Sequence, residues 1–409
     1  MISPARLAAF EVLRRVFEDE AYADRALRSA TEGLDPRDCA LARRLAYGAV
    51  QRARTLDYAI ETIGRRPVRR LDPPVRAALR LGAYQLAFLD GVPRYAAVNE
   101  SVELVRRARL ERAVPFANAV LRRLADGARA LVEALPEATP TEAALRHSYP
   151  DWVAESWWRD LGPDGARALM RRQNEPPDTV VRLVRGTIDG TPDPDVPGAW
   201  HVERVDEDAL AEGRVWPQSS GSQLAGLCVA AAPGDRVLDV CAAPGGKTTM
   251  LAGEVVAVEA NEDRARELQE NVLRLGATNV TVVHADGREL PAELTGFDRA
   301  LVDAPCSGLG VLAARPDLRW RSQPLPELQL ELLRAAAARV KPGGTVTYSV
   351  CTVNADESER VVDACGLEPE PLSDLWPQFR HAARGEFLQT LPHVHGTSGF
   401  FIARLRVAA

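Results

Sequence analysis

Lysine is almost absent from this sequence of 409 residues. It occurs only as Lys247 and Lys341, while arginine supplies nearly all of the 51 basic side chains. The two residue types are not interchangeable, because a guanidinium group is a planar fork and an ammonium group is a compact point charge. Both lysines lie in glycine-rich turns, so each is a candidate for a role that arginine cannot fill.

Long apolar runs are also missing. No run approaches the ~18 residues of a membrane-spanning helix, and the first residues, MISPAR, lack the apolar core and cleavage site of a signal peptide. We therefore expect a cytoplasmic protein. The length suggests two or three domains, and 46% hydrophobic residues are enough to form their cores.

Cysteine is scarce, at six residues, and no two form a CxxC pair. This argues against a bound metal and against thioredoxin-type redox chemistry, and a cytosolic location predicts free thiols. A lone cysteine is usually a small buried hydrophobic residue, a description that suits four of the six: Cys39, Cys228, Cys241 and Cys365. The other two, Cys306 and Cys351, lie in polar turns and are candidates for chemistry.

Negative charge exceeds positive charge, with a net charge of −6, but the two signs are unevenly distributed. Residues 1–135 contain 24 Arg and no Lys against 17 Asp plus Glu, a net charge of +7, so residues 136–409 carry −13. A basic region in an acidic chain predicts contact with a polyanion. The alternative is a solvated helical surface that happens to be rich in arginine.

The first 130 residues have the 3.6-residue periodicity of helices. One apolar face runs from Leu7 to Phe17, and a second helix is predicted to open at the sequence DPP (72–74), a cap followed by prolines that fit a first turn. Further helices are predicted near 96–109 and 115–125. Together they predict an all-helical bundle over residues 1–135.

The middle of the chain is harder to assign. Residues 141–175 are mixed and contain an aromatic cluster at Trp152, Trp157 and Trp158. Residues 176–216 are rich in Pro, Gly and Asp, and they contain one clear strand pattern, Val180–Val184. We predict a small α/β linking segment over residues 141–216.

From residue 217 onward, predicted strands alternate with helices that begin near Thr248, Asp263 and Leu325. The predicted strands are Arg236–Val240, Val255–Glu259, Val280–His284, Arg299–Asp303 and Thr345–Ser349. This alternation predicts a Rossmann-like α/β domain over residues 217–409, with a doubly wound and mostly parallel sheet. Ligands of such folds bind at the carboxyl ends of the strands, where each motif below lies.

The first motif is VLDVCAAPGGKTT, residues 237–249. An apolar strand enters a Gly-Gly turn, where glycine lets the backbone approach a ligand closely. The N-terminus of the helix predicted to follow favours a negative group such as a carboxylate. The GxxxxGK spacing of a phosphate-binding P-loop is absent.

Two acidic residues follow the next two strands. Glu259 ends the second strand, 13 positions after Gly246, where an acid binds ribose hydroxyls in dinucleotide and related folds. Asp286 follows the third strand and can accept a hydrogen bond from an adenine amino group. The alternatives are a surface residue that ends a strand and an ordinary Asp-Gly turn.

The last two motifs contain the cysteines in polar turns. VDAPCSGLG (302–310) places Asp303 and Cys306 at the end of the fourth strand, and YSVCT (348–352) places Cys351 at the end of the fifth. Because neighbouring strand ends meet at one edge of a sheet, these side chains are predicted to face one pocket.

Together these stretches resemble the Nop/Sun family of RNA cytosine-5 methyltransferases, whose motifs match in order over residues 217–405. The amino-terminal half is similar to the RNA-binding domain related to the antitermination factor NusB. The segments that match are ALARRLAYGAV (40–50), AYQL (83–86), AVNESVE (97–103) and ANAVLRRL (117–124), and NEPP (174–177) also fits. The resemblance therefore covers nearly the whole chain.

The resemblance implies transfer of a methyl group from S-adenosylmethionine (SAM) to carbon 5 of a specific cytosine in RNA. Carbon 5 is a poor nucleophile, and a thiolate that adds to carbon 6 makes it enamine-like, so covalent catalysis divides one hard step into easier ones. Since a free thiol is mostly protonated at pH 7, the nucleophile needs activation. The target base must be unstacked, which favours a hairpin loop or bulge as substrate.

The resemblance also implies roles for individual residues. Cys351 is the nucleophile, Cys306 resolves the adduct, Asp303 contacts the N3 edge of cytosine and Lys247 faces the active site. The residues alone leave the choice of thiol open, because DNA enzymes place the nucleophile in the Pro-Cys motif. The expected SAM-binding residues are Cys241, Ala242, Ala243, Pro244, Gly245, Gly246, Lys247, Glu259, Asp286 and Asp303.

Two positions depart from the family pattern. Ser219 and Ser398 stand where the family commonly has Asp. Both lie outside the catalytic motifs, so they affect the expected detail of the substrate pocket and not the reaction. The middle segment, which we expect to contact RNA, also looks short.

Several functions remain open at this point. The domain pairing resembles bacterial enzymes that methylate small-subunit (16S) ribosomal RNA, and we expect a monomer acting on that RNA; transfer RNA is an alternative target by the same chemistry. A non-catalytic RNA-binding assembly factor is disfavoured because both thiols, Asp303 and Lys247 are present. A small-molecule methyltransferase is disfavoured because a small substrate needs no basic partner domain.

Overall fold

The structure is a computed structural model that describes residues 2–408. Contacts divide the chain into two compact units: Met1–Glu175 with Leu312–Arg321, and Pro176–Val311 with Ser322–Ala409. Residues 141–216 supply helices to the first unit and strands to the second. The domain boundaries predicted at residues 135, 141 and 216 remain predictions.

Every regular element described in the first unit is helical, which confirms the predicted helical region. Short 3-10 turns at Val68–Arg70 and Glu111–Ala113 join some of the helices. The α-helices are α1 Pro4–Glu18, α2 Ala23–Ala30, α3 Pro36–Gln51, α4 Ala53–Gly64, α5 Pro73–Phe88, α6 Arg94–Arg107, α7 Val114–Glu133, α8 Pro140–His147, α9 Asp151–Arg172 and α13 Leu318–Arg321. Helix α9 is broken at Gly162, which has a φ of 72°.

Apolar stripes explain why these segments fold together. Phe10 and Leu13 of α1 are fully buried, with Phe17 packed against the same core. Helix α5 begins at Pro73, as the sequence predicts, but the side chain of the N-cap residue Asp72 makes no capping hydrogen bond. That helix is held instead by its buried face, because burial of large apolar side chains contributes more than one cap.

A segment from the second half of the sequence completes the helical unit. Arg319 is only 1% exposed, and its guanidinium group donates to the carbonyl oxygens of Gln51 (2.9 Å) and Ser148 (3.1 Å) and to Oδ1 of Asn174 (3.0 Å). It also lies 4.1 Å from the centre of the Tyr149 ring. Burial lowers the pKa of Arg319. Its two terminal nitrogens donate to neutral oxygens, while its Nε has no hydrogen-bond partner within residues 2–408. Residues 1–175 alone therefore lack part of this fold.

The second unit begins with a small antiparallel sheet in the order β2-β3-β1-β4. Its strands are β1 Val180–Leu183, β2 Thr191–Pro192, β3 Ala199–His201 and β4 Val215–Pro217. Only β1 was predicted. The other three are two or three residues long, too short for period-two alternation to be seen in the sequence.

The main sheet has the order β10-β12-β9-β8-β5-β6-β7, and β11 pairs with β12. Strands β5 to β9 are parallel, which confirms the predicted sheet, and β10, β11 and β12 add antiparallel pairs. The strands are β5 Arg236–Asp239, β6 Glu254–Glu259, β7 Val280–His284, β8 Phe297–Asp303, β9 Val340–Val350, β10 Glu368–Glu370, β11 Leu388–Thr390 and β12 Phe400–Arg406.

The second unit also contains helices. The prediction of a helix near Thr248 was wrong. The α-helices are α10 Glu207–Ala211, α11 Ser220–Leu227, α12 Glu262–Leu275, α14 Pro326–Ala337, α15 Glu359–Cys365 and α16 Pro392–His395. Thr248–Met250 forms only a 3-10 turn. Three residues separate this turn from β6, whose register Arg236↔Glu254 fixes where the strand begins, so no length remains for a helix.

The order of strands positions the site. Strand β5 pairs with β6 on one side and with β8 on the other. The connections on either side of β5 therefore diverge at its carboxyl end, which is where open α/β sheets bind ligands. No helix described within residues 2–408 is long and apolar enough to cross a membrane.

Close helix packing generates a stability prediction. A Cβ at Gly48 in α3 would overlap the ring of Tyr84 in α5, while a Cβ at Gly127 in α7 would meet nothing within 4 Å. We expect Gly48→Ala to destabilise the protein by about 1–3 kcal/mol through overpacking. We expect the matched control, Gly127→Ala, to stabilise it by about 0.5–1 kcal/mol through helix propensity. Thermal unfolding midpoints measure both, and equal midpoints would contradict the packing.

Candidate active site

The parallel pairing of β8 and β9 brings the two candidate cysteines together. Asp303 and Ser349 are partners in the register of this pair. Cys306 and Cys351 follow them in the adjacent loops, and their Sγ atoms lie 3.4 Å apart although 45 residues separate them in sequence. Both are free, half-buried thiols. The structure thus brings together the two cysteines that the motifs singled out.

Lys247 and Asp303 form an ion pair at the same strand ends. Lys247 Nζ lies 2.7 Å from Asp303 Oδ2, and Ser349 Oγ donates to Asp303 Oδ1 at 2.7 Å. The ammonium group is also 4.9 Å from the centre of the Phe400 ring. Asp303 is therefore fixed through both oxygens, with 30% of its side chain still exposed.

The two thiols have different proton affinities. A hydrogen bond from the Cys306 thiol lowers the pKa of Cys351, and the positive charge of Lys247 acts in the same direction, although burial and Asp303 oppose it. The same hydrogen bond raises the pKa of Cys306, and burial raises it further. Cys351 is therefore the better thiolate of the pair, and Cys306 is the thiol that retains its proton.

A buried carboxylate that the sequence analysis missed holds both cysteine loops. Glu357 is fully buried; its Oε1 accepts from the backbone N–H of Ser307 at 2.9 Å, and its Oε2 accepts from Ser307 Oγ. Ser307 follows Cys306 directly, and its Oγ lies 3.0 Å from Oγ1 of Thr352, which follows Cys351. One carboxylate therefore fixes the positions of both thiols.

No sequence signal identifies this role for Glu357. It lies in the run VNADESE after the last motif, which reads as a solvated polar turn. Its Oε1 also accepts from the side chain of Gln329 in α14 and from the backbone N–H of Leu325. These donors come from a helix and a loop that are distant in sequence, so the burial is visible only in three dimensions.

The loop Cys241–Lys247 is fixed by side chains. Four successive carbonyl oxygens accept hydrogen bonds: Ala242 from Thr248 (3.2 Å), Ala243 from Arg264 (2.8 Å), Pro244 from Asn271 (2.8 Å) and Gly245 from Thr249 (2.8 Å). Gly245 has a φ of 102°, and a Cβ at Gly246 would lie 2.7 Å from Trp216 Nε1. Glycine is therefore required at both positions, and the loop is ordered by the protein itself.

The remaining expected SAM-binding residues line the same edge of the sheet. Ala242 and Ala243 are buried, and burial raises the pKa of the Cys241 thiol. Glu259 ends β6, where its Oε1 accepts from the N–H of Asn261 at 3.0 Å. Glu259 is thus oriented by its own turn and is 5% exposed.

Asp286 lies two residues beyond β7 and has a competing partner. Arg288 donates to it through its backbone N–H at 2.9 Å and through its side chain at 2.7 Å. These hydrogen bonds lower the pKa of Asp286. Because 38% of the Asp286 side chain is exposed, a ligand can share it with Arg288.

Asp239 is a second residue that the sequence analysis did not single out. It ends β5, is 1% exposed, and accepts from Thr248 Oγ1 at 2.7 Å through Oδ2. Its Oδ1 is buried without a hydrogen-bond partner in the described chain. Burial raises the pKa of Asp239 to about 7. Asp239 is the acidic residue of the motif LDVC, at the end of a predicted strand, and this position was a sequence signal that could have identified it.

The two departures from the family pattern lie next to each other. Ser219 Oγ accepts from the N–H of Ser222 at 3.3 Å and caps α11. Gly221, two residues later, donates its N–H to Thr397 Oγ1 at 3.1 Å, and Thr397 precedes Ser398. Both serines therefore lie in loops that pack together beside β12. Within residues 2–408, no group of three or more His, Cys, Asp or Glu side chains is arranged to hold a metal ion.

Comparison with known proteins identifies the family. Residues 227–406 match the model of the family described as 16S rRNA methyltransferase RsmB/F, and residues 3–126 match the NusB family. Ribosomal RNA small subunit methyltransferase B of Thermus thermophilus is 37% identical over 399 residues, which cover 94% of this chain and 92% of that protein. The probable ribosomal RNA small subunit methyltransferase B of Synechocystis is 34% identical over 450 residues and covers 100% of both chains.

Solved structures agree at the level of the fold. The crystal structure of PH0851 is 24% identical, with a TM-score of 0.83, and the match covers 99% of each chain. The two sequence relatives cover 94% and 100% of this chain. The chain therefore belongs to the RsmB/F family of 16S rRNA methyltransferases, which use S-adenosylmethionine, and it carries a NusB-family region ahead of its catalytic domain.

Proposed function

We propose that this protein methylates carbon 5 of one cytosine in 16S ribosomal RNA through a covalent bond between Cys351 and carbon 6 of the base. The observation that carries the proposal is the pair of thiols, 3.4 Å apart, beside the Lys247–Asp303 ion pair. Methylation at carbon 5 uses one group that adds to the ring and a second that takes part in release. We also propose that the protein acts as a monomer in the cytoplasm.

The residues at the strand ends fit SAM. Carboxylates end or follow four adjacent strands, at Asp239, Glu259, Asp286 and Asp303, and they complement the sulfonium cation, the amino groups and the ribose hydroxyls of SAM. We assign Glu259 to the ribose hydroxyls of SAM and Asp286 to its adenine amino group. We assign the ordered loop from Cys241 to Lys247 to the rest of the SAM molecule. When bound, SAM supplies an electrophilic methyl group.

The first covalent step belongs to Cys351. Its thiolate gives an electron pair to carbon 6, the S–C6 bond forms, and the electron pair of the C5=C6 double bond becomes available at carbon 5. Negative charge spreads onto the N3 edge of the ring during this addition. Asp303, which accepts a hydrogen bond from the Lys247 ammonium group, is the group we assign to that edge. The electron pair at carbon 5 would then take the methyl group of bound SAM, and the electrons of the broken S–CH3 bond would stay on sulfur, which leaves a neutral thioether.

Release requires a base for the proton on carbon 5, and we assign this role to Cys306. While Cys351 is a thiolate, its hydrogen bond keeps the proton on Cys306. Once Cys351 is bonded to carbon 6 it carries no charge, so this cause of the raised pKa is removed. Cys306 then loses its own proton to solvent and becomes the thiolate that serves as the base. When the C5–H bond breaks, its electron pair restores C5=C6, the S–C6 pair returns to Cys351, and Cys306 holds the proton.

Methyl transfer to two RNA substrates tests the proposed function. Labelled SAM is incubated with naked 16S ribosomal RNA and, separately, with bulk transfer RNA, and the nucleosides are then analysed. We expect 5-methylcytosine at one position of the ribosomal RNA and none in transfer RNA. Methylation of transfer RNA alone would contradict the substrate, and a different methylated nucleoside would contradict the chemistry.

Substitution of the thiols separates their roles. We expect Cys351→Ala to lower the turnover rate by roughly three or more orders of magnitude, because it removes the nucleophile. We expect Cys306→Ala to accumulate a protein–RNA adduct that survives a denaturing gel, because release is blocked. Cys365→Ala, a half-buried thiol in the same unit, is the control and should keep turnover without an adduct. Near-normal turnover in Cys351→Ala would eliminate it as the nucleophile.

The hydrogen bond between the thiols predicts a pH effect that needs no RNA. The Cys306 thiol lowers the pKa of Cys351, so Cys306→Ala should raise that pKa and shift the alkylation of Cys351 by iodoacetamide to higher pH. Peptide mass mapping at each pH measures the rate at Cys351. Cys39→Ala, in the helical unit, is the control and should leave the profile unchanged. A shift to lower pH in Cys306→Ala would contradict the assigned direction.

A further inference from the structure

Four arginines are concentrated in the connection between α4 and α5. Within the arginine loop, residues 65–70, Arg65, Arg66, Arg69 and Arg70 are all exposed. None of these guanidinium groups has a carboxylate within 4.0 Å among residues 2–408. Positive charges held this close together without counter-charges repel one another, so the loop attracts an external anion.

The backbone of the arginine loop is fixed. Val68 is buried, and its N–H donates to Oε1 of Glu61 in α4 at 2.7 Å. The N–H of Arg65 donates to the carbonyl of Glu61 at 2.8 Å, and that of Arg70 donates to Pro67 at 3.0 Å. The loop therefore presents its guanidinium groups from an ordered scaffold, which lowers the entropic cost of binding an anion.

Helix α7 extends the same basic surface. The guanidinium group of Arg66 lies 5.6 Å from the centre of the Phe116 ring, and Gly64 packs close to Val120. Arg123 lies one turn after Val120 on the same helical face and is exposed. We call Arg65, Arg66, Arg69, Arg70 and Arg123 the arginine surface.

The backbone at Arg65 adopts the left-handed conformation. Arg65 follows α4 with a φ of 49°, in the left-handed region where glycine or asparagine is the usual residue. The arginine side chain makes that conformation less favourable and is exposed, so packing does not explain it. Arg65 is therefore left unchanged in the variants below, so that they do not alter the end of α4.

We propose that the arginine surface binds the phosphate backbone of the RNA substrate, an inference that rests on the proposed function. Phosphate is the anion that fits best, because each planar guanidinium fork can donate two parallel hydrogen bonds to it. Residues 61–72 contain four arginines and two acidic residues, Glu61 and Asp72, a net charge of +2. An acidic protein partner is the competing occupant, and the test below separates the two.

The test measures the affinity for naked 16S ribosomal RNA at several salt concentrations, without SAM. The variant is Arg66→Gln/Arg69→Gln/Arg70→Gln, which leaves the helix-capping Arg65 in place. Each phosphate contact contributes about 0.7–0.9 to the slope of log K against log salt. We therefore expect the slope to become shallower by about 2 and binding to weaken at least about tenfold at low salt.

A matched control removes the same charge from elsewhere on the helical unit. Arg14, Arg106 and Arg129 each face a carboxylate, from Glu18, Glu103 and Asp90. The variant Arg14→Gln/Arg106→Gln/Arg129→Gln also lowers the net charge by three. We expect it to retain the wild-type slope, since these arginines are already paired. Thermal unfolding midpoints check that all variants are folded.

A lysine variant separates the effect of positive charge from the effect of the forked guanidinium group. Arg66→Lys/Arg69→Lys/Arg70→Lys keeps the charges but loses the forks, so we expect a nearly wild-type slope with weaker binding. Equal slopes for the glutamine variant and the control would overturn the proposal and favour an acidic protein partner. Because this assay measures binding and not methylation, failure of the proposed reaction would not be mistaken for failure of the surface.

Discussion

The pairing of β8 with β9 is the constraint on which the site depends. It places Asp303 beside Ser349, whose hydroxyl donates to the carboxylate at 2.7 Å. The loops that follow are then neighbours, and Cys306 and Cys351 meet across them. Glu357 holds these loops in place by accepting four hydrogen bonds, two from Ser307 and one each from Leu325 and Gln329. Loss of this strand register would separate the thiols, because a slip of one residue moves every side chain to the opposite face.

The surroundings of Cys306 and Cys351 then distinguish these two thiols, which are chemically identical groups. The hydrogen bond from Cys306 lowers the pKa of Cys351, and the charge of the Lys247 ammonium group, which contacts Asp303 and the Phe400 ring, lowers it further. A compact ammonium fits this position, where a planar guanidinium fork would not have the same shape. The chain's other lysine, Lys341, forms a half-exposed ion pair with Asp298, of a kind that contributes little to stability. Only one of the two rare lysines is therefore part of the site.

The sequence predicted most of the sheet and the residues at its edge, for a physical reason. Buried parallel strands are short apolar runs, and their topology converts distant positions into neighbours at one edge, so Asp303 and both thiols followed from the pattern. The 3-10 turn at Thr248 was predicted to be a helix because helix propensity does not reveal the register of the next strand. Glu357 and Arg319 were missed because each is a charged residue buried among donors or acceptors from elements far apart in sequence, and charged residues are ordinarily exposed.

The most direct test of the account uses RNA in which 5-fluorocytidine replaces cytidine. Release requires the loss of a proton from carbon 5, and fluorine cannot be removed from carbon 5 in the same way. The S–C6 bond formed by the wild-type enzyme and SAM should therefore persist. Digestion and mass spectrometry of the linked complex then identify the attached cysteine. The account predicts that the nucleotide is bonded to the peptide that contains Cys351. A nucleotide bonded to Cys306, or RNA methylated at carbon 5 without any link to the protein, would contradict it.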